Sequence, residues 1–83
     1  MPYYVYIVAC KDGAFYTGYT RNVKARLKQH KLGKGARYLK THHPDKIVYK
    51  EKFASRGEAM KRERAIKRLT HEQKLKLTQP KKK

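Results

Sequence analysis

A carboxylate interrupts the apolar face of one predicted helix. Four residues of the segment 54–69 form its apolar stripe at about 100° per residue: Ala59, Met60, Ile66 and Leu69. Glu63 falls inside that stripe, where a bare buried carboxylate is costly, so it must be paired, hydrated or bound to a cation. It is therefore either an ion-pair partner of a nearby basic side chain or a ligand for a hard cation such as Mg²⁺.

A second candidate pair lies on the helix predicted over residues 21–32. Arg26 and His30 are four residues apart and therefore share one face of that helix. A guanidinium presents a planar fork of donors that suits phosphate, and it stays charged at neutral pH. The plain alternatives are a solvated charge for Arg26 and a surface or helix-end imidazole for His30, so neither residue is a signal alone.

Two tyrosines of a predicted hairpin complete the set. Tyr6 lies in the apolar run 3–10, which is typical of a strand covered on both faces, and Tyr16 lies in a second strand over residues 14–20. Across the hairpin the two hydroxyls could point to one opening, although core packing with a hydrogen-bonded hydroxyl is the commoner role. Gly18 indicates a bulge or a close approach of the backbone.

The remaining elements must position these side chains. Residues 36–45 are predicted to be irregular, and a third strand follows over 46–53, with Ile47, Tyr49 and Glu51 on one side. The Asp-Gly pair at 12–13 predicts the hairpin turn, and Thr20 or Asn22 can cap the start of the helix 21–32. Capping-box spacings precede the helix 54–69 and a short last helix. The order β-β-α-β-α-α predicts an α+β fold in which helices pack on a mixed sheet.

The whole chain is strongly basic. Its 83 residues include 23 Lys and Arg against six Asp and Glu, which gives a formal charge of +17. The chain is predicted to form a single domain over residues 1–79, followed by a basic tail at 80–83. Such charge favours a polyanionic partner, nucleic acid first, and no apolar run approaches the roughly 18 residues of a membrane span. One cysteine, Cys10, and no secretory leader predict a reducing cytoplasm and a buried thiol.

Together these residues resemble the signature of the GIY-YIG nuclease superfamily. The motif "YVY" at 4–6 is followed, after nine intervening residues, by "YTG" at 16–18, then by Arg26 and His30, and later by Glu63. The resemblance covers nearly the whole chain and is closest to small stand-alone bacterial members. It implies a three-stranded antiparallel sheet flanked by helices.

The resemblance also implies a reaction: hydrolysis of DNA phosphodiester bonds with one Mg²⁺ or Mn²⁺ per site. Glu63 would hold the metal, and Arg26 would neutralise charge growing on the phosphorus. Tyr6 would act as general base or orient the water, Tyr16 would position phosphate or water, and His30 would assist by hydrogen bonding.

Three features depart from the family pattern. The first motif reads Tyr-Val-Tyr where the family has Gly-Ile-Tyr. Thr17 stands where the second motif of the family has Ile, and the chain's only asparagine is Asn22, whereas many family nucleases use a late Asn. The resemblance further implies that Gly18 lets the backbone approach the site closely.

The partner implied is DNA, with RNA as a second choice, and no obligate protein partner is evident. Seven basic residues are predicted to bind nucleic acid: Lys24, Arg26, Lys28, Lys34, Arg37, Arg64 and Lys67. They would bind phosphates without contacting bases in a sequence-specific way. The protein would act in DNA repair or processing. The alternatives are a non-catalytic nucleic-acid-binding module that keeps the fold, and a basic ribosome- or membrane-associated factor.

Overall fold

The computed structural model describes residues 2–32 and 42–78, which form three strands and three helices. The elements are β1 (Tyr3–Cys10), β2 (Phe15–Thr20), α1 (Val23–Lys31), β3 (Pro44–Phe53), α2 (Arg56–Lys67) and α3 (His71–Thr78). This is the predicted order, and the α+β fold is confirmed. None of these helices is long and apolar enough to cross a membrane.

The sheet is antiparallel throughout, in the order β2-β1-β3. The antiparallel sheet implied by the resemblance is confirmed, and the mixed sheet expected from element order alone is wrong. β2 and β3 run in the same direction, but β1 lies between them, so no parallel pair forms. β1 is buried from Val5 to Val8 without interruption, as expected for a central strand covered on both faces.

The β1–β2 turn follows the predicted Asp-Gly signal. Gly13 has φ of 88°, a conformation that glycine adopts without steric cost, and its N–H donates to the Cys10 carbonyl at 3.0 Å. The Ala14 N–H donates to the Asp12 side chain at 3.1 Å. This turn sets the hairpin register that brings Gly18 opposite Tyr6.

β3 departs from the prediction in two ways. It begins at Pro44 rather than residue 46, because a proline, which lacks an N–H, is tolerated as the first residue of a strand. A bulge then places Tyr49 opposite Ile7 but Ile47 opposite Val8. Ile47 and Tyr49 therefore face opposite sides of the sheet, and the predicted shared face is wrong for Ile47. Residues 36–41 of the predicted irregular segment lie outside the described residues.

The predicted caps start all three helices. Asn22 accepts from the Ala25 N–H at 3.0 Å, and Ser55 accepts from the N–H three residues on at 3.2 Å. At α3, Thr70 and Gln73 cap each other reciprocally, with distances of 3.1 and 2.9 Å. Local hydrogen bonding thus fixes where α1, α2 and α3 begin.

The helices cover opposite faces of the sheet. Val5 and Ile7 of β1 form the buried core with Ala59 and Ile66 of α2, and residues of α3 pack against the same cluster. α1 lies on the other face, where its His30 meets Tyr6. α1 thus packs on β1 and β3 from one face of the sheet, whereas α2 contacts all three strands from the other.

The thiol of Cys10 is buried, as predicted, at the end of β1. Burial, with a smaller contribution from Asp12, raises its pKa. The thiol therefore stays protonated at neutral pH and acts as a small apolar side chain.

Candidate active site

A cleft of about 490 Å³ lies along the edge strand β2. It is lined from both faces of the sheet, by Arg26 of α1 on one side and by Glu63 of α2 on the other. Tyr6, Tyr16 and Gly18 of the hairpin lie between these two side chains. Five residues that the sequence analysis selected from four separate elements therefore meet in one hollow.

Tyr6 is positioned by a hydrogen bond to His30. The Tyr6 hydroxyl and His30 Nε2 are 3.0 Å apart, and each residue is only 2% exposed. His30 does not line the cleft but supports a residue that does. His30 does lie in the last turn of α1, as one alternative expected, but the surface alternative is wrong, because the face of α1 that carries this imidazole packs on the sheet.

Burial sets the protonation of Tyr6. It is the largest cause of a raised pKa, to which Tyr16 and Glu63 add, while the Arg26 guanidinium acts in the opposite direction. The phenol is therefore protonated at neutral pH and can donate to His30 Nε2. A general-base role, which needs a lowered pKa, stays a prediction.

Gly18 gives the Tyr6 phenol its space. A Cβ at this position would lie 2.7 Å from the Tyr6 hydroxyl oxygen and 3.2 Å from Cε2 of Tyr16. The close approach predicted for Gly18 is thus an approach to the two tyrosine rings. The alternative of a bulge is wrong, since the β1–β2 register runs unbroken through Gly18.

Tyr16 stands beside Tyr6 at the cleft. The ring centroids are 6.5 Å apart with an interplanar angle of 48°, and the His30 ring meets Tyr16 edge-on at 5.5 Å. Both tyrosines line the cleft, as the predicted pairing across the hairpin requires. The three rings pack as one unit, which fixes where the two phenols stand.

Glu63 makes the ion pair that the sequence left open, and its role as a metal ligand stays a prediction. It pairs with Lys67, one helical turn on, at 3.5 Å, and its side chain is 16% exposed within the cleft wall. Among the described residues it is the only carboxylate that lines the cleft, and no three His, Cys, Asp or Glu side chains there form a metal cluster. Mg²⁺ is often held by one or two carboxylates with water and phosphate oxygens, so this donor set fits one such ion.

The outer wall of the cleft was not predicted from the sequence. Tyr3, Tyr19 and Arg21 also line it, and the Arg21 guanidinium donates to the Tyr3 hydroxyl through two nitrogens at 2.9 and 3.1 Å. Arg56 Nε lies 3.4 Å from the Tyr19 hydroxyl. Strand alternation puts Tyr3 and Tyr19 on the face opposite Tyr6, so only a cleft that wraps around an edge strand includes them. The hairpin register, which places Arg21 beside Tyr3, was the available signal.

The predicted nucleic-acid-binding residues divide into three groups. Arg26 is half-buried in the cleft wall. Four others are exposed on α1 and α2: Lys24, Lys28, Arg64 and Lys67. Lys34 and Arg37 lie outside the described residues.

Comparisons with known proteins agree with this fold. The family model of the GIY-YIG catalytic domain matches residues 2–76. A UPF0213 protein of Staphylococcus haemolyticus is 56% identical over 75 residues, which cover 90% of this chain and 92% of that protein. A UPF0213 protein of Staphylococcus epidermidis is 49% identical over 77 residues, covering 93% and 94% of the two chains.

Solved structures show the same similarity. The solution NMR structure of the UPF0213 protein from Bacillus halodurans has a TM-score of 0.58 at 45% identity and covers 93% of this chain and 82% of that one. A second NMR structure, of a protein from E. faecalis, has a TM-score of 0.61 at 41% identity, with coverage of 89% and 79%. The chain belongs to the GIY-YIG family, and its domain is that of a nuclease superfamily.

Proposed function

We propose that the protein is a divalent-metal-dependent endonuclease that hydrolyses DNA phosphodiester bonds with little sequence specificity, in DNA repair or processing. One observation carries the proposal: two phenols, a guanidinium and a carboxylate from four elements line a single cleft of about 490 Å³. The cleft is large enough for a phosphodiester, and its cations match the charge of one.

Arg26 and Glu63 would divide the charge of the reaction between them. Arg26 presents its fork to the non-bridging oxygens and neutralises the charge that develops on the phosphorus. Glu63 would hold one Mg²⁺ or Mn²⁺, which supplies Lewis-acid stabilisation of the phosphate and of the leaving oxygen. Lys67, which pairs with Glu63 at 3.5 Å, would release this carboxylate to the metal.

Tyr6 and Tyr16 would position the attacking water. With its hydroxyl donating to His30 Nε2, the Tyr6 oxygen keeps a lone pair that can accept from that water. The raised pKa of Tyr6 favours this orienting role over proton abstraction by a phenolate. Tyr16, packed against Tyr6 and His30, would fix the phosphate or the water from the other side.

The low sequence specificity follows from the kind of contact available. Lysine and arginine side chains bind phosphates, which position a strand but carry no sequence information. With roughly six phosphate contacts, log K should fall against log salt with a slope of about −5. We place this activity in one domain over residues 1–79 with a basic tail at 80–83, in the cytoplasm.

Plasmid nicking tests the proposal. Supercoiled DNA is incubated with Mg²⁺ or Mn²⁺ and the wild-type, Glu63→Gln or Arg26→Ala protein, and each variant should nick about 100-fold more slowly while it still binds DNA. Glu72→Gln and Arg68→Ala are matched controls, since both residues are exposed and neither lines the cleft. Nicking that survives both cleft substitutions would refute the proposal.

A non-catalytic nucleic-acid-binding module is the second candidate. It is favoured by the place of Asn22, which caps α1 and does not line the cleft, so it does not supply the late Asn that many family nucleases use. DNA binding by a wild-type protein that nicks no plasmid with either metal would select this candidate.

A further inference from the structure

A second hollow lies beside the cleft and shares Tyr16 with it. It measures about 320 Å³ and is lined by residues of β2, α2 and α3: Phe15, Tyr16, Thr17, Lys67 and Lys74. Since Tyr16 forms a wall of both spaces, a ligand in this hollow would lie next to whatever occupies the cleft. Three of its lining residues, Phe15, Thr17 and Lys74, have no part in the function proposed above.

Two lysines from different helices meet in this hollow. Lys67 stands at the end of α2, where it also reaches Glu63 of the cleft at 3.5 Å. Lys74 comes from α3, is half-buried, and has no ion pair with any carboxylate in the part of the chain that the structure describes. Burial, together with the positive charge of Lys67, lowers the pKa of Lys74. Two cations that repel each other in a half-buried space are an arrangement that a bound anion would stabilise.

An aromatic wall faces the same space. The Phe15 ring stacks on the His71 ring, with centroids 4.8 Å apart and an interplanar angle of 17°. His71 is itself fixed, because its Nε2 donates to the Gly13 carbonyl oxygen at 2.9 Å. An anion site bounded by a fixed ring suits a group that joins phosphate to a flat or apolar body, as a nucleotide does.

We propose that this hollow binds the phosphate of a nucleotide next to the scissile one, with its sugar or base against Phe15. The inference rests on the proposed function in one respect, namely that the cleft holds the scissile phosphate. Lys67 then stands between the two phosphates, and Lys74 contacts only the second. Binding at this position requires no hydrolysis.

Metal-free binding measurements test the subsite. A fluorescently labelled DNA oligonucleotide is titrated in EDTA with Lys74→Gln and with Lys76→Gln, a matched exposed lysine on the same helix that does not line the hollow. Lys74→Gln should weaken binding about tenfold and reduce the salt slope by about 0.9, the loss of one phosphate contact, whereas Lys76→Gln should weaken binding less than twofold. Equal weakening by the two substitutions would overturn the proposal.

Two further measurements separate the possible failures. Thermal melting should show Lys74→Gln no less stable than Lys76→Gln, because the substitution removes a repulsive charge; a destabilised Lys74→Gln would give Lys74 a structural role instead. If the wild-type protein nicks DNA but Lys74→Gln and Lys76→Gln weaken DNA binding equally, the subsite is refuted and the nuclease proposal stands. If only Lys74→Gln weakens DNA binding and the wild-type protein does not nick DNA, the subsite stands and the nuclease proposal is refuted.

Discussion

The two walls of the cleft are built in opposite ways. On the α1 side, Tyr6 and His30 are 2% exposed and joined by a hydrogen bond of 3.0 Å, packed into place by Gly18 and Tyr16. On the α2 side, Glu63 is 16% exposed and pairs at 3.5 Å with a Lys67 side chain that is 51% exposed. The first wall holds its geometry through packing. The second carries charges that can exchange partners.

This difference assigns separate tasks to the two walls. A buried and satisfied hydrogen bond orients the phenol before any substrate arrives. An ion pair between residues four apart on a helix contributes only about 0.3–0.5 kcal/mol, and the Lys67 end of this pair is exposed, so a metal ion or a phosphate can replace Lys67 beside Glu63 at little cost. Positioning thus belongs to the α1 wall and charge exchange to the α2 wall.

The largest expected effect comes from filling the space that Gly18 leaves. In Gly18→Ala the new methyl group would lie 2.7 Å from the Tyr6 hydroxyl oxygen, so the phenol must move and the free energy of unfolding should fall by about 1–3 kcal/mol. Urea unfolding measures the change. Gly57→Ala is the matched control, because nothing lies within 4 Å of its Cβ and alanine favours the helix by about 0.5–1 kcal/mol. Similar stability for both variants would contradict the packed wall.

The free energy of unfolding measured at alkaline pH tests the same wall, because Tyr6 titrates there. Its pKa is raised above the usual value of 10.0, so the fold favours the protonated phenol. That stabilisation is complete below pH 10 and is lost as pH rises above it, by up to about 1.4 kcal/mol per pH unit. Tyr6→Phe should therefore lose less stability than wild type between pH 10 and 11. Identical curves for wild type and Tyr6→Phe would show that Tyr6 is not desolvated.

The smallest effect is expected on the ionic wall. Lys67→Gln should change the free energy of unfolding by less than about 0.5 kcal/mol, because the lysine end of the pair is exposed to water and to screening by salt. Unfolding at low and at high salt measures it. A loss above 1 kcal/mol that persists at high salt would show that Lys67 supports the fold, and the contrast between the walls would disappear.

The sequence predicted what local rules determine. The caps at Asn22, Ser55 and Thr70, the Asp-Gly turn and the central strand depend on neighbours along the chain, and all are confirmed. Glu63 was found because it breaks an apolar stripe. The resemblance to the family then predicted that the sheet is antiparallel.

Other features depend on how the elements pack. The burial of His30 depends on which face of α1 meets the sheet, and the bulge at β3 depends on pairing with β1. Tyr3 and Arg21 were missed because alternation along a strand assigns residues to one face or the other. It does not predict a cleft that wraps around the sheet edge.

The single-turnover rate of DNA cleavage by Tyr6→Phe tests the central claim most directly. The substitution removes only the hydroxyl that His30 holds toward the cleft, and Tyr4→Phe removes an equivalent hydroxyl two residues away that does not line it. We predict a fall of about 100-fold for Tyr6→Phe, with DNA binding retained and Tyr4→Phe near wild type. Cleavage by Tyr6→Phe at the wild-type rate would contradict the account.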